Sequence, residues 1–181
     1  MALPPKSDLP GASPAQAGEN LGIEAFHAVD RIREALSAQL SGGVSPGSLM
    51  LAWSDWIFHL AQAPGKRMEL GVKAGRKWQR LLAHLMSSAM DPEAVPVITP
   101  LPGDRRFADE AWAKPPFSWM SQAFLLQQQW LHNVTHEVPG VTKHHEDVVS
   151  FAAKQMLDVF SPSNNPFTNP EVLARTWSTG G

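Results

Sequence analysis

The chain has 181 residues, of which 43% are hydrophobic, and its formal net charge is -2. This length suits one or two small domains with a modest core. The charge gives no general reason to expect nucleic acid or an anionic membrane as a partner. The absence of cysteine excludes disulfides, thiolate metal sites and thiol catalysis within the chain.

Residues 1–20 are rich in Pro, Ala, Gly and Ser. Such a composition buries too little apolar surface to fold, so a disordered tail is predicted. The tail lacks the apolar run of a signal peptide. No later run reaches the ~18 uninterrupted apolar residues of a membrane span. We therefore expect a cytoplasmic protein with no membrane span.

Residues 21–90 predict an N-terminal helical segment. Its first helix has an apolar face with residues at spacings of three or four, namely Ile23, Phe26, Val29, Ile32 and Leu36. Ser45 and Pro46 are typical of an N-cap and a first helical position, and so begin a second helix. After a break at Pro64, an amphipathic helix is predicted to end near Met90. Its apolar positions are Met68, Leu70, Val72, Trp78, Leu81, Leu82 and Leu85.

Four prolines make residues 91–103 a predicted linker and domain boundary. Residues 104–181 then form a second helical domain. Its first predicted helix spans Phe117 to Val138. The second is capped by Thr142 and ends near Phe160, and a short third helix begins with Asn169 as its cap and Pro170 as its first residue. No alternating strand pattern is present. The predicted fold is all-α, with about five to six amphipathic helices and Pro-rich extended connectors.

Residues 43–47 match the G-x-S-x-G pattern of a hydrolase nucleophile elbow. That turn requires a preceding strand, and the residue after the serine must donate its backbone N–H to the oxyanion. Pro46 has no N–H. We therefore interpret Ser45 as a helix cap.

His132 and His136 lie four residues apart on a predicted helix. With a third ligand they could bind zinc, which is the basis of an alternative reading as an independent metalloenzyme. The H-N-V-T-H-E order differs from H-E-x-x-H, so solvated histidines are favoured. No catalytic residue, metal site or cofactor is predicted.

Two groups of residues are candidates for interaction. Trp53, Trp56 and Phe58 could present a hydrophobic flank, although core packing is the alternative. Arg105, Arg106, Phe107 and Trp112 lie in an irregular segment. There, ion pairs to Asp104, Asp109 and Glu110 and aromatic contacts could fix a strap across a helix surface. A basic run between residues 66 and 80 is either a solvated helix face or a contact for an anionic partner.

The D-R-R-F-A-D-E-A-W run that starts at Asp104, together with S-P-S-N at 161–164 and T-N-P-E at 168–171, resembles the N-terminal region of poly(3-hydroxyalkanoate) synthases. Residues 26–70 resemble more loosely an extra N-terminal segment of some polyhydroxybutyrate polymerases. Members of that family are acyltransferases that polymerise 3-hydroxyacyl-CoA into storage polyester. They use a cysteine in an α/β-hydrolase domain that follows the N-terminal region.

The resemblance implies a non-catalytic domain that supports dimerisation, polyester granule contact and catalytic-domain activity. No activity is expected of this chain alone, because it lacks the nucleophile. The implied partners are the catalytic domain of the same or another synthase chain, and the granule surface or granule-associated proteins. The chain would then be cytoplasmic and located at granules. The alternative is a free-standing truncated paralogue that binds granules or modulates a full-length synthase in trans.

Overall fold

The computed structural model describes residues 26–33, 35, 45–91 and 93–180. Helix α1 includes residues 26–33 and 35. The helices that follow are α2 (Pro46–Gln62), α3 (Pro64–Met90), α4 (Phe117–Thr135), α5 (Lys143–Val159) and α6 (Pro170–Thr179). Short 3₁₀ turns lie at Glu110–Ala113 and Pro162–Asn164. These described ranges contain no strand, and the predicted all-α fold is confirmed.

The chain divides into two compact units, residues 1–48 and 49–181. In the first unit, Phe26, Val29 and Ile32 are helical, as predicted. Ile23, Leu36 and the predicted tail at 1–20 lie outside the described residues. The division into a helical segment, a linker at 91–103 and a domain at 104–181 stays a prediction.

The predicted helix caps are confirmed. Ser45 Oγ accepts a hydrogen bond from the Ser48 N–H at 3.1 Å. Thr142 caps α5 by accepting from the His145 N–H at 3.3 Å, and Asn169 caps α6 by accepting from two backbone N–H groups. Each cap satisfies donors that the first helical turn leaves unpaired.

Helix α4 is the centre of the second unit, since it packs against α3, α5 and both 3₁₀ turns. Three hydrogen bonds join it to α3. Trp119 Nε1 donates to Ser88 Oγ at 2.8 Å, Trp130 Nε1 to the Leu70 carbonyl at 3.4 Å, and Lys73 Nζ to Asn133 Oδ1 at 3.0 Å. The seam between α3 and α4 therefore includes polar contacts beside the buried Leu70. The apolar core lies around α4 and α5 and includes Trp112, Phe124, Leu125, Leu126, Val134, Val138, Val148, Val149 and Ala153.

Helix α4 ends at Thr135, before the predicted Val138. Pro139 disfavours helical backbone at the residue that precedes it. Glu137 adopts a left-handed conformation with φ 58°, and its N–H donates to the Glu146 carboxylate at 2.7 Å. This tight turn brings the start of α5 back against the end of α4.

The proline-rich segment after α3 is held against the helices. The Gln122 side chain of α4 accepts from the Ile98 N–H at 2.9 Å and donates to the Ile98 carbonyl at 3.0 Å. Arg80 of α3 donates to the Val97 carbonyl. An amide side chain thus replaces the backbone partners that an irregular segment lacks.

Candidate functional site

The irregular segment at residues 104–113, here called the strap, is shaped by its own side chains. The Arg106 N–H donates to Asp104 Oδ1 at 3.1 Å. Asp109 accepts from the Ala111 N–H at 2.9 Å and so caps the first 3₁₀ turn. These Asp-to-backbone bonds stabilise turns in place of helix or strand.

Arg106 joins the strap to α5. Its guanidinium forms a two-point contact with Asp104, with nitrogen–oxygen distances of 2.9 and 2.8 Å, and it donates to Asp158 Oδ1 at 2.7 Å. Hydrogen bonds from Arg106 hold the pKa of Asp104 below its usual value, because they stabilise the ionised carboxylate. The same contacts raise the pKa of Arg106. Asp158 also accepts from Gln128 of α4 at 3.2 Å.

Two aromatic side chains fix the strap on α4. Phe107 makes edge contacts with Trp112 and Phe124, at ring-centroid distances of 4.9 and 5.8 Å. Trp112 is only 2% exposed and packs edge-on against Phe117 at 6.1 Å. The Arg106 guanidinium lies 5.2 Å from the Phe124 ring centroid, a cation–π contact that adds to its ion pairs.

The strap differs from the sequence expectation in its charge partners. Arg106 pairs with Asp104 as expected, but Arg105 is exposed and makes no ion pair with a described residue. Asp109 is a turn cap rather than a partner for arginine. Sequence reasoning missed Asp158, because 52 residues separate it from Arg106 and no local pattern connects them.

A cavity of about 390 Å³ adjoins the strap, between the end of α3 and the start of α4. His84, Trp112 and Ser118 line it, and each has buried side-chain nitrogen or oxygen atoms without a hydrogen-bond partner in the described part of the chain. Glu93, Glu110 and Lys114 also line it. These groups can bind polar molecules by hydrogen bonds. His84 and Ser118 carried no signal in the sequence, because each is a single polar residue in a helix pattern.

The aromatic residues of α2 divide between inside and outside. Trp53 and Trp56 are half-buried and pack edge-on at 5.2 Å, and Trp56 Nε1 donates to the Val134 carbonyl at 3.1 Å. Phe58 is 66% exposed. The exposed apolar side chains of α2 therefore include Phe58 and its neighbours Leu51 and Ile57.

Helix α3 exposes most of its apolar residues. Its buried residues are Lys66, Leu70, His84 and Ser88. The outer stripe, as we name it, comprises Met68, Val72, Leu82, Met86 and Met90, and all five are exposed. Successive residues of a helix turn by about 100°, so these five positions fall within one narrow sector, interrupted by Gly75 and Gln79. An amphipathic helix normally buries such a stripe.

The His132 and His136 rings lie against each other, with centroids 3.9 Å apart and ring planes tilted by 40°. His136 Nδ1 lies 2.9 Å from the His132 carbonyl oxygen and 3.0 Å from Thr135 Oγ1, so that nitrogen faces its own helix. Across the described ranges, no group of three His, Asp or Glu side chains is arranged to hold a metal ion. No described helix is long and apolar enough to cross a membrane.

Two family models match the chain. The model described as "Poly-beta-hydroxybutyrate polymerase N terminal" matches residues 24–66, which include α2. The model described as "Poly-beta-hydroxybutyrate polymerase (PhaC) N-terminus" matches residues 103–181, which include the strap and α4 to α6. The long helix α3 falls mostly between the two matches.

Curated relatives agree with these matches. A poly(3-hydroxyalkanoate) polymerase of Methylorubrum extorquens is 33% identical over 119 residues, which are 65% of this chain and 20% of that protein. Poly(3-hydroxyalkanoate) polymerase subunit PhaC of Rhizobium meliloti (strain 1021) is 25% identical over 175 residues, 90% of this chain and 28% of the relative. The corresponding subunit of Rhizobium etli is 29% identical over 106 residues, 58% of this chain and 17% of the relative.

The chain thus spans between 17% and 28% of the length of these relatives. No solved structure matches it. Both family models describe N-terminal regions, and their matches lie on the residues that form the strap and most of the helices. The chain belongs to the N-terminal region of the poly(3-hydroxyalkanoate) synthase family.

Proposed function

We propose that this chain is a non-catalytic helical module that docks on the catalytic domain of a poly(3-hydroxyalkanoate) synthase through the outer stripe of α3. The observation that carries the proposal is the orientation of α3: the outer stripe is exposed, whereas three of the four buried residues of the helix, Lys66, His84 and Ser88, are polar. The relatives are several times longer than this chain, so most of each relative is available as a docking partner.

The physical case for docking rests on exposed apolar area. Met68 and Met86 are each 74% exposed, and Val72 and Leu82 lie on the same side of the helix. Burying such side chains contributes roughly 1.5–3 kcal/mol each when burial is complete. Methionine also adapts its shape to irregular surfaces. A large, adaptable apolar stripe on a surface helix is typical of an interaction site.

Separately purified chain and catalytic domain of the Methylorubrum extorquens relative would test this proposal. We expect the two to co-sediment, and Leu82→Gln with Met86→Gln to abolish the complex. Both substitutions are on exposed positions and should leave the helical circular dichroism spectrum unchanged. Met156→Gln, at a 62% exposed position of α5, is the matched control. Equal binding by the stripe variant and the control would contradict docking through α3.

Dimerisation and polyester granule contact are the further roles that the family resemblance implies, and the outer stripe could serve either. A dimer would appear as self-association of the chain alone, abolished by the same double substitution. Granule contact would appear as binding to polyester particles in the absence of a catalytic domain. The free-standing paralogue alternative predicts a native product of 19.8 kDa, whereas a synthase predicts a far larger band on an immunoblot.

A further inference from the structure

A basic cleft lies between α3 and α4, apart from the strap and lined by none of the outer-stripe residues. Its volume is about 400 Å³. Its lining residues are Lys73, Arg76, Lys77 and Arg80 of α3, and Gln129, His132 and Asn133 of α4. The four cationic positions follow the spacing i, i+3, i+4 and i+7, which places them along one side of the helix. No carboxylate is among the lining residues.

The positive charge of the cleft is only partly balanced. Lys73 forms an ion pair with Glu69 and donates to Asn133 Oδ1 at 3.0 Å. Arg80 donates to the neutral Val97 carbonyl. Within the described residues, no carboxylate contacts Arg76, Lys77 or Arg80. About three positive charges therefore remain without a counter-charge.

This arrangement is unfavourable for the chain alone. Like charges at these helical spacings repel each other. Arg76 and Arg80 are exposed to water, which screens their repulsion, and the effect is stronger for a side chain that lies further from bulk water. Lys77 is half-buried, and burial, with added repulsion from Arg80 and Lys73, lowers its pKa. A bound anion would relieve this repulsion. The α4 side of the cleft offers only neutral polar groups to such a ligand, since burial and the neighbouring His136 lower the pKa of His132.

We propose that the cleft binds a small phosphate-bearing anion with at least two negative charges, such as a diphosphate group. Guanidinium groups match phosphate oxygens with paired N–H donors. Arg76 and Arg80 lie one turn apart, about 5–6 Å along the helix, so they can contact neighbouring phosphates while Lys77 lies between them. A volume of about 400 Å³ suits a small ligand.

Isothermal titration calorimetry with inorganic pyrophosphate tests the proposal on the purified chain at low ionic strength. We expect saturable binding to one site, weaker binding of orthophosphate, and loss of affinity by about tenfold or more in Arg76→Gln with Lys77→Gln. The control is Arg105→Gln with Arg175→Gln, which removes the same charge at exposed positions outside the cleft. Circular dichroism should show that both proteins are folded, and Arg76→Gln alone is the milder second variant.

The location of binding is read by nuclear magnetic resonance from the side-chain amides of Gln129 and Asn133, which should shift on addition of pyrophosphate. No saturable binding would overturn the proposal, as would equal weakening in both double variants, because that result indicates general charge attraction. Orthophosphate binding as tight as pyrophosphate would overturn the requirement for two charges. Phosphatidic acid vesicles distinguish a lipid headgroup from a soluble ligand. If the chain binds these vesicles and pyrophosphate does not displace it, the proposal that the cleft binds a small soluble anion would be overturned.

Discussion

Arg106 Nη1 and Asp158 Oδ1 lie 2.7 Å apart across 52 residues of sequence, and this ion pair connects the strap to α5. Both side chains are about one-quarter exposed. The same guanidinium holds Asp104 with two further bonds. Arg106 therefore acts together with Phe107 and Trp112 in holding the strap on the helices.

Replacing Arg106 should destabilise the second unit. Arg106→Gln removes the charged hydrogen bonds to Asp104 and Asp158, and we expect the free energy of unfolding to fall by roughly 2 kcal/mol. The free energy of unfolding of Arg106→Lys should lie between those of the native chain and Arg106→Gln, because lysine keeps the charge but lacks the planar guanidinium. Urea unfolding measures both changes. Arg105→Gln, at the exposed neighbouring position, should change the free energy by less than about 0.5 kcal/mol; equal effects at the two positions would contradict the strap geometry.

The Arg106–Asp104 contact also predicts an acid dependence of stability. The pKa of Asp104 is lower in the folded chain than its usual value of 3.8, so the unfolded chain binds the proton more readily. The contribution of Asp104 to the free energy of unfolding is complete above its pKa in the unfolded chain. It is lost as the pH falls below about 4 toward the pKa of Asp104 in the folded chain. Urea midpoints measured between neutral pH and about pH 3 should converge for the native chain and Arg106→Gln. Parallel curves would contradict this assignment.

His132 predicts a second, milder pH effect of a different origin. Partial desolvation and the neighbouring His136 lower the pKa of His132 below the usual 6.5, so protonation is easier in the unfolded chain. Stability should therefore decrease as pH falls below about 6.5. His132→Gln should reduce this slope between about pH 7 and 5.5, whereas His144→Gln should retain it; both positions are exposed, and His144 lies on α5. An unchanged slope in His132→Gln would assign the effect to another group.

Trp112 should be the most sensitive position of the strap. Trp112→Ala removes a buried ring that contacts Phe107 and Phe117, and we expect a loss of about 3–5 kcal/mol. Trp112→Phe keeps a ring in the core and should cost clearly less. Thermal and urea unfolding measure both variants. A small effect of Trp112→Ala would mean that the strap is not packed on α4 as described.

Replacing Trp56 should destabilise the chain, whereas replacing Phe58 should have almost no effect. Trp56→Phe leaves the Val134 carbonyl without the donor that it has at 3.1 Å, and should cost roughly 1–2 kcal/mol. Phe58→Gln, on the exposed side of α2, should change the free energy of unfolding by less than about 0.5 kcal/mol. Phe58 is therefore the better probe of a hydrophobic contact at α2. Destabilisation by Phe58→Gln would show that this side chain is part of the core.

Local chemistry made much of the fold predictable. The helix caps form hydrogen bonds to backbone N–H groups two or three residues later, at Ser45, Thr142 and Asn169. Such local bonds can be predicted from residue type and position alone. The apolar spacing likewise predicted the helices. The early end of α4 at Thr135 depends on the turn formed with Glu146, which helical spacing does not reveal.

The orientation of α3 was not predictable. Periodicity reveals that a helix has an apolar side, but it does not reveal which side meets the rest of the chain. Here Trp119 of α4 donates to the Ser88 hydroxyl of α3, and Lys73 of α3 donates to Asn133 of α4, so polar side chains of α3 face α4. The cavity beside His84 and the Asp158 partner of Arg106 are likewise products of distant contacts.

The most direct test of docking through α3 uses the methionine methyl groups of the chain as reporters. The protein is labelled with ¹³C at methionine methyls and titrated with the unlabelled catalytic domain of the Methylorubrum extorquens relative. The account predicts that the Met68 and Met86 resonances shift or broaden, while Met156 on α5 keeps its position. Unchanged Met68 and Met86 resonances under conditions where the two proteins bind would contradict docking through the outer stripe.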